Sequence, residues 1–254
     1  DFITYASATY RDAAFLSGKL DGMLTDYPGA TLLQAKGSRL RLVMETDGSL
    51  SLIASKKSNV RNPDGLKGKN ISVSGNTFVE YATDEVMKRA CLHPGEVNKP
   101  EINNIPLRLM MLEDGQISAS FLPGPATAIA LNDGHTALLN TRQMGLHCTG
   151  IVFSEKAITE KDEEIRRFIT GYNLGVKYLQ THPQNEWTEI LVKEFGLQEK
   201  AAMQIDLPDY RPATRPSYHD IEKIIAWLKS KGAIPDYYPG ENLVDTTFIP
   251  GTLK

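Results

Sequence analysis

The sequence predicts an α/β protein built from two similar lobes, and three observations carry that prediction. Short apolar runs of strand character alternate with helical segments through the first half of the chain, the pattern of sheets covered by helices. A helix-to-strand-to-loop passage occurs twice with variation. Ser17-Gly18-Lys19 leads into Leu20-Asp21-Gly22-Met23-Leu24-Thr25-Asp26-Tyr27-Pro28. Asp114-Gly115-Gln116 leads into Ile117-Ser118-Ala119-Ser120-Phe121-Leu122-Pro123-Gly124-Pro125. Each passage ends in a polar or proline-containing loop where a strand finishes, the edge at which open α/β sheets bind small molecules.

The bulk numbers agree. A chain of 254 residues with 41% hydrophobic and 23% charged residues has the balance of a folded domain. A net charge of −3 advertises neither nucleic acid nor an anionic membrane as partner. No apolar run approaches the roughly 18 residues that span a bilayer.

In chain order, Phe2-Ile3-Thr4-Tyr5-Ala6 reads as a strand. Thr9-Tyr10-Arg11-Asp12 reads as a capping box opening a helix to about Ser17, where Gly18 stops it. Met23-Leu24-Thr25 is a short strand, Leu32 to Lys36 a helix, and Leu40 to Met44 a strand ending at Thr46-Asp47-Gly48. Alternation with short connections predicts a largely parallel sheet. Leu50 to Ser55 is a further strand, and Asn62-Pro63-Asp64-Gly65 is a turn. Lys69 to Ser74 is a strand, and after Gly75-Asn76-Thr77 a helix runs to about Ala90 with Val79, Ala82, Val86 and Ala90 on one face. A strand near Glu101 to Ile105, a helix from Pro106 to Glu113, the strand Ala119 to Leu122 and a helix opening at Ala126 to Leu131 complete the second lobe. Gly150 to Ser154 repeats the pattern of Leu50 to Ser55, and the two read as paired crossover strands between lobes. The last third is helical: Ile165, Phe168, Ile169, Tyr172, Val176 and Leu179 form one stripe. Ile221, Ile224, Ile225 and Leu228 form another behind the capping box Ser217-Tyr218-His219-Asp220. The division is therefore 1–62 with 150–254 for the first lobe and 63–149 for the second.

The candidate chemistry lies at strand ends. Ser74, Gly75, Asn76 and Thr77 precede a helix whose first N–H groups can hold a carboxylate, sulfonate or phosphate; equally, Thr77 with Glu80 makes an ordinary capping box. Asp26 can accept from a ligand and Tyr27 can stack on one, or Asp26 can cap a helix with Pro28 in its first turn. Asp47 is a weaker candidate in an Asp-Gly turn. Pro123-Gly124-Pro125 is a rigid loop with accessible backbone, or a plain strand-to-helix connector. Nothing assembles a nucleophile and base: there is no GxSxG, no P-loop and no carboxylate pair. His93, His135, His147, His182 and His219 form no metal spacing, and no cofactor motif is present. Cys91 and Cys148 are the only cysteines and are expected as free, mostly buried thiols.

In these residues the chain resembles the substrate-binding proteins of bacterial ABC importers, in the group for taurine, alkanesulfonates, nitrate and thiamine-pyrimidine precursors. The resemblance rests on Ala6 to Ala13, Gly18-Lys19-Leu20-Asp21-Gly22, Leu66 to Ile71 and Ser74 to Thr77. It continues through Pro106-Leu107-Arg108-Leu109, Leu122 to Pro125 and Asp245 to Pro250. It implies the type II periplasmic binding protein fold: two α/β lobes, joined by two crossover strands, that close over a ligand. The cleft loops it implies are those at Ser7, Thr25 to Tyr27, Asp47, Ser74 to Thr77, and Pro123 to Pro125. The implied function is extracytoplasmic capture of a small anionic or heteroaromatic solute, with an ABC permease as partner, the signal peptide removed, and anchoring as a lipoprotein one of the options.

The family pattern begins one strand and one helix before residue 1, so the first lobe is expected to lack that unit and to melt below a chain that has it. Relatives often carry Glu between the two prolines where this chain has Gly124, which removes a contact to a ligand ammonium and argues against an amine such as taurine. Two other classes remain open: an enzyme on the same fold, thiamine-pyrimidine synthase-like or chorismate dehydratase-like, and a ligand-sensing domain. The cysteine-rich motif of the synthases is absent from this sequence.

Overall fold

The computed structural model describes residues 1–249 apart from 6, 196–197, 204–206 and 208. It contains two sheets. The first has the order β1-β7-β2, with β1 Gly22–Asp26, β2 Leu40–Thr46 and β7 Thr149–Ser154. The second has the order β4-β5-β3-β6, with β3 Leu50–Ala54, β4 Ile71–Ser72, β5 Ala119–Pro123 and β6 Thr136–Asn140.

Pairing within these sheets departs from the parallel expectation. β7 runs antiparallel to both β1 and β2, and β3 runs antiparallel to both β5 and β6; only β4 and β5 pair in parallel. β1 and β2 do point the same way, but the returning strand β7 lies between them. The strands at 50–54 and 150–154 are therefore not each other's partners: β3 belongs to the second sheet and β7 to the first. The chain already enters the second sheet between Thr46 and Leu50, ahead of residue 62. Gly150 is required where β7 passes β2, because a Cβ there would stand 2.6 Å from the Met44 carbonyl and 2.7 Å from Leu42 Cδ1.

Helices cover both sheets on both faces. Cluster-forming Val43, Met44, Ile151 and Phe153 meet α6 (Glu155–Glu160) and α7 (Asp162–Thr181) on one face of the first sheet. Ile53 and Leu122 meet α4 (Ile105–Asp114) and α5 (Gly124–Asn132) on one face of the second. The largest core joins the two. It takes Leu40, Leu42, Tyr27 and Ala30 with Ile221, Ile224 and Leu228 of α10 (Tyr218–Ser230). It also takes Leu52, Phe121, and Phe78, Tyr81 and Val86 of α3 (Phe78–Arg89). Burial of this apolar surface, at about 25 cal/mol per Å², ties the lobes into one body.

Several local expectations change. Residues 2–5 form no strand; Phe2 is 91% exposed and its ring is tilted against Phe168, centroids 6.2 Å apart. Ala6 lies outside the described residues. Helix α1 (Ala8–Leu16) is capped by Ser7 rather than Thr9, and Asp12 pairs with Arg11 instead of closing a capping box. Helix α2 (Tyr27–Ala35) begins five residues before Leu32 because Asp26 caps it and Pro28 sits in its first turn. The stretch 101–105 makes only the isolated bridge of Glu101 to Val73 before α4 starts, and β6 was not visible in the pattern of Thr136-Ala137-Leu138-Leu139-Asn140. Helices α8 (Gln184–Phe195) and α9 (Glu199–Met203) fill out the helical last third. Cys148 is buried as expected, whereas Cys91 is exposed, and both are free.

Candidate functional site

The two sheets are joined near the ends of their strands, by the short crossover from Thr46 to Leu50 and by a hydrogen bond from the start of α3 to Asp26 at the end of β1. On the first sheet, Asp26 of β1 and Thr46 of β2 both face Thr149 of β7 in register. The Thr46 and Thr149 hydroxyls are 2.9 Å apart. On the second sheet, Pro123 of β5 faces Leu50 of β3, and Thr141, just beyond β6, accepts from the Leu50 N–H at 3.1 Å. Loops from both lobes thus converge on one seam. Two surface hollows lie away from these strand ends, one along α1 lined by Tyr5, Tyr10 and Ser17 and one at the start of β1 lined by Asp21, Arg39 and Lys161.

Asp26 spans the seam. Its Oδ1 accepts from the Gly29 N–H at 2.7 Å, capping α2, and its Oδ2 accepts from the Phe78 N–H at 2.9 Å, at the start of α3 in the second lobe. One carboxylate therefore serves two helix N-termini. Burial pushes its carboxyl above the ordinary range, and the two N–H bonds, with the charge of Arg11, pull it back. The start of α3, which the sequence offered to a ligand anion, is already met by the chain's own carboxylate.

The rest of that loop is tied down. Thr77 caps α3 by accepting from the Val79 N–H at 3.2 Å and donates to the Ser74 carbonyl at 2.8 Å. Glu80 reaches back to the N–H of Asn76 at 2.7 Å, one residue before the cap. Ser74 bonds the Asn103 side chain at 2.6 Å. Asn76 has φ 55, a left-handed conformation that Asn tolerates, and its Oδ1 is buried without a partner.

Of the other predicted residues, Ser7 and Thr25 stand at the Asp26 end of the seam. The Arg11 guanidinium of α1 donates to the Thr25 hydroxyl at 3.1 Å, one turn beyond the Ser7 cap. Tyr27 is a correction: its ring is fully buried in the core and its hydroxyl donates to Glu45 at 3.1 Å, so it has no face for a ligand. Its period in the sequence is that of a helix face, and the buried start of α2 takes it inward. Pro123 precedes α5 without a side-chain cap, and Gly124 faces open space, with nothing within 4 Å of where a Cβ would be. Pro125 is exposed.

Asp47 stands at the other end of the seam and is 8% exposed. The Arg211 backbone N–H and its Nε donate to the Asp47 carboxylate at 2.8 and 2.7 Å, and the same guanidinium reaches Glu45 at 2.7 Å. A strap around residues 210–214 is held there by the Ala213 N–H on Asn173 and by the Glu45 N–H on the Thr214 carbonyl. Arg211, Tyr210, Tyr172 and Arg142 were not legible as site residues in the sequence: the first three lie at no strand end, and Arg142 follows β6, the strand the pattern did not show. Among the described residues no group of His, Cys, Asp and Glu is arranged to hold a metal ion, and no helix is long and apolar enough to cross a membrane.

The profile of a family described as NMT1/THI5 like matches residues 1–186. The chain belongs to the NMT1/THI5-like family. Among curated protein sequences none matches it. Solved structures similar to this NMT1/THI5-like chain include the periplasmic aliphatic sulphonate-binding protein of Escherichia coli, at 12% identity and TM-score 0.81, covering 98% of this chain and 83% of that one. The alkanesulfonate-binding protein of Xanthomonas axonopodis bound to MOPS aligns at 17% identity and TM-score 0.78, over 92% and 83%. The ligand-binding component of an ABC-type import system from Staphylococcus aureus, with zinc bound, aligns at 13% identity and TM-score 0.80, over 97% and 85%. These likenesses establish the periplasmic binding protein fold, two α/β lobes, as the sequence resemblance implied.

Proposed function

We propose that this NMT1/THI5-like protein is the extracytoplasmic solute-binding component of an ABC importer, holding a small ligand between its lobes and delivering it to the permease. The observation that carries the reading is the convergence of loops from both sheets on one seam that Asp26 bridges. Its supports are the family and the three binding proteins that share the fold. Ser7, Thr25, Asp26 and Asp47 would face the ligand from the first lobe. Ser74, Asn76, Thr77 and the Pro123-Gly124-Pro125 loop would face it from the second. The open space at Gly124 favours a ligand larger than one that would need a carboxylate at that point. The mechanism is lobe closure with no bond made or broken, so we read the chain as a receptor rather than an enzyme.

Native mass spectrometry of the freshly purified protein, followed by denaturation and identification of what is released, tests this. A retained small molecule, or stabilisation by one added from a solute library, is the expected result. Conversion of that molecule into a product by the purified protein overturns the receptor reading.

A further inference from the structure

The acidic groups of the seam are satisfied by the protein itself. Asp26 accepts two backbone N–H groups, and Asp47 and Glu45 share Arg211. A basic group is not. Arg142 follows Thr141, whose backbone N–H and hydroxyl clamp Leu50 at the crossover into β3, so it sits at the junction of the two sheets. Its Nε is buried without a hydrogen-bond partner, and among the described residues its guanidinium makes no ion pair. The hydroxyl of Tyr172, on α7 of the opposite lobe, is likewise buried and without a partner. A buried donor left unpaired is destabilising, and the fold keeps two of them, one from each lobe.

Resting on the solute-capture reading, we infer that Arg142 and Tyr172 hold the anionic group of the ligand, a sulfonate or carboxylate, at the Asp47 end of the seam rather than at the start of α3. Arg142 supplies charge and forked N–H donors, which match two oxygens of an oxyanion. Tyr172 supplies one O–H donor. The two electrostatic surroundings support the placement. Tyr172 titrates at about 12, raised by burial first and then by Asp47, so its hydroxyl keeps its proton at neutral pH. The strap lies against Tyr172's helix, because Asn173 accepts from the Ala213 N–H and Gln180 donates to the Tyr210 carbonyl, while Arg211 of the same strap holds Asp47; the Tyr210 hydroxyl is raised by burial and then by Asp47, with Arg142 opposing. The start of α3 is closed to the anion because Asp26 is there.

The test titrates the full chain calorimetrically with ethanesulfonate against ethanesulfonamide and benzoate against benzamide, in the wild type, R142Q, R142K and Y172F. The expected result is binding of an anion over its neutral counterpart. R142Q loses about ten- to hundredfold in affinity for it, R142K keeps part of it, and Y172F loses severalfold. The melting temperature of unliganded R142Q stays equal to the wild type's or rises, because among the described residues the guanidinium gives up no hydrogen bond or ion pair. Unchanged anion affinity in R142Q, or a fall of several degrees in its unliganded melting temperature, overturns the assignment. Binding of the neutral members without preference for the anions removes this inference and leaves solute capture standing. No binding of any probe by the wild type, together with no solute retained on purification, removes both.

Discussion

At the scale of the residue, single side chains at the seam carry two duties, and substitutions separate them. Thr77 read in the sequence either as a ligand contact or as an ordinary cap; in the structure it caps α3 and fastens the Ser74 carbonyl. Thr77→Ala should therefore cost about 1 kcal/mol of stability, read as a lower urea midpoint with an unchanged slope; an unaltered midpoint would remove the cap from the account. Asp26 is more demanding, since its two oxygens accept from two lobes. Asp26→Asn keeps one acceptor and turns an amide N–H toward the other backbone N–H. It should loosen the contact between β1 and α3 by about 1–3 kcal/mol, visible as faster amide exchange at Phe78 or Gly29. Protection at both positions equal to the wild type's would show that the carboxylate does not bridge in solution.

At the scale of the element, the hidden strand β6 shows how buried polar groups anchor backbone. His135, just before β6, accepts from the Lys56 N–H through Nδ1 at 3.1 Å, and its Nε2 stands 3.2 Å from Glu113. Burial, the largest effect, lowers its pKa below the ordinary 6.5 against the pull of Glu113. A histidine with a lowered folded pKa is neutral in the fold, so its contribution is present above 6.5 and is lost as pH falls through the folded value, where the unfolded chain already binds the proton. Between about pH 7.5 and 5.5 the wild type should lose more stability than His135→Gln; equal losses would exclude His135 as the sensor. The same element explains what the sequence could and could not say. β1, β2, β3 and β5 were legible because each is a short apolar run bounded by turn residues. β6 was not, because Thr136, Leu138, Leu139 and Asn140 are only half-buried and show no clean alternation. The parallel expectation failed because strand direction is set by which returning strand inserts, and Gly150, which lets β7 lie against β2, carries no signal of that in sequence. Asp26 was legible as a helix cap or a site residue; that it is a cap for two helices depends on a partner 52 residues away.

At the scale of the whole molecule, the proposed capture depends on closure of the lobes, and the contact between α3 and α10 is where closure can be tested. The Trp227 ring meets Tyr81 edge-on with centroids 5.3 Å apart, and its Nε1 donates to Asp84 at 3.0 Å. Lys231 lies over the same indole at 4.6 Å and pairs with Glu80, whose carboxyl is held below its ordinary range by Lys231, the N–H of Asn76 and Lys99 against the opposing effect of burial. These groups join the second lobe's α3 to the first lobe's α10 outside the covalent crossovers, so they can be weakened without cutting either sheet. Aromatic pairing contributes about 0.5–1.5 kcal/mol beyond area burial and the hydrogen bond to a carboxylate about 1.5–3. Trp227→Ala removes both, enough to shift a two-state opening equilibrium by more than tenfold. X-ray scattering should then show a radius of gyration above the about 18 Å expected of a compact chain of this length, and the added solute should bring it back. Affinity should fall by the same factor that opening gains, because ligand now has to close the lobes it formerly found closed. A Trp227→Ala protein with an unchanged radius and unchanged affinity would mean that the shared core of Leu42, Phe78 and Phe121 holds the lobes together by itself, and that closure is not the step on which capture turns.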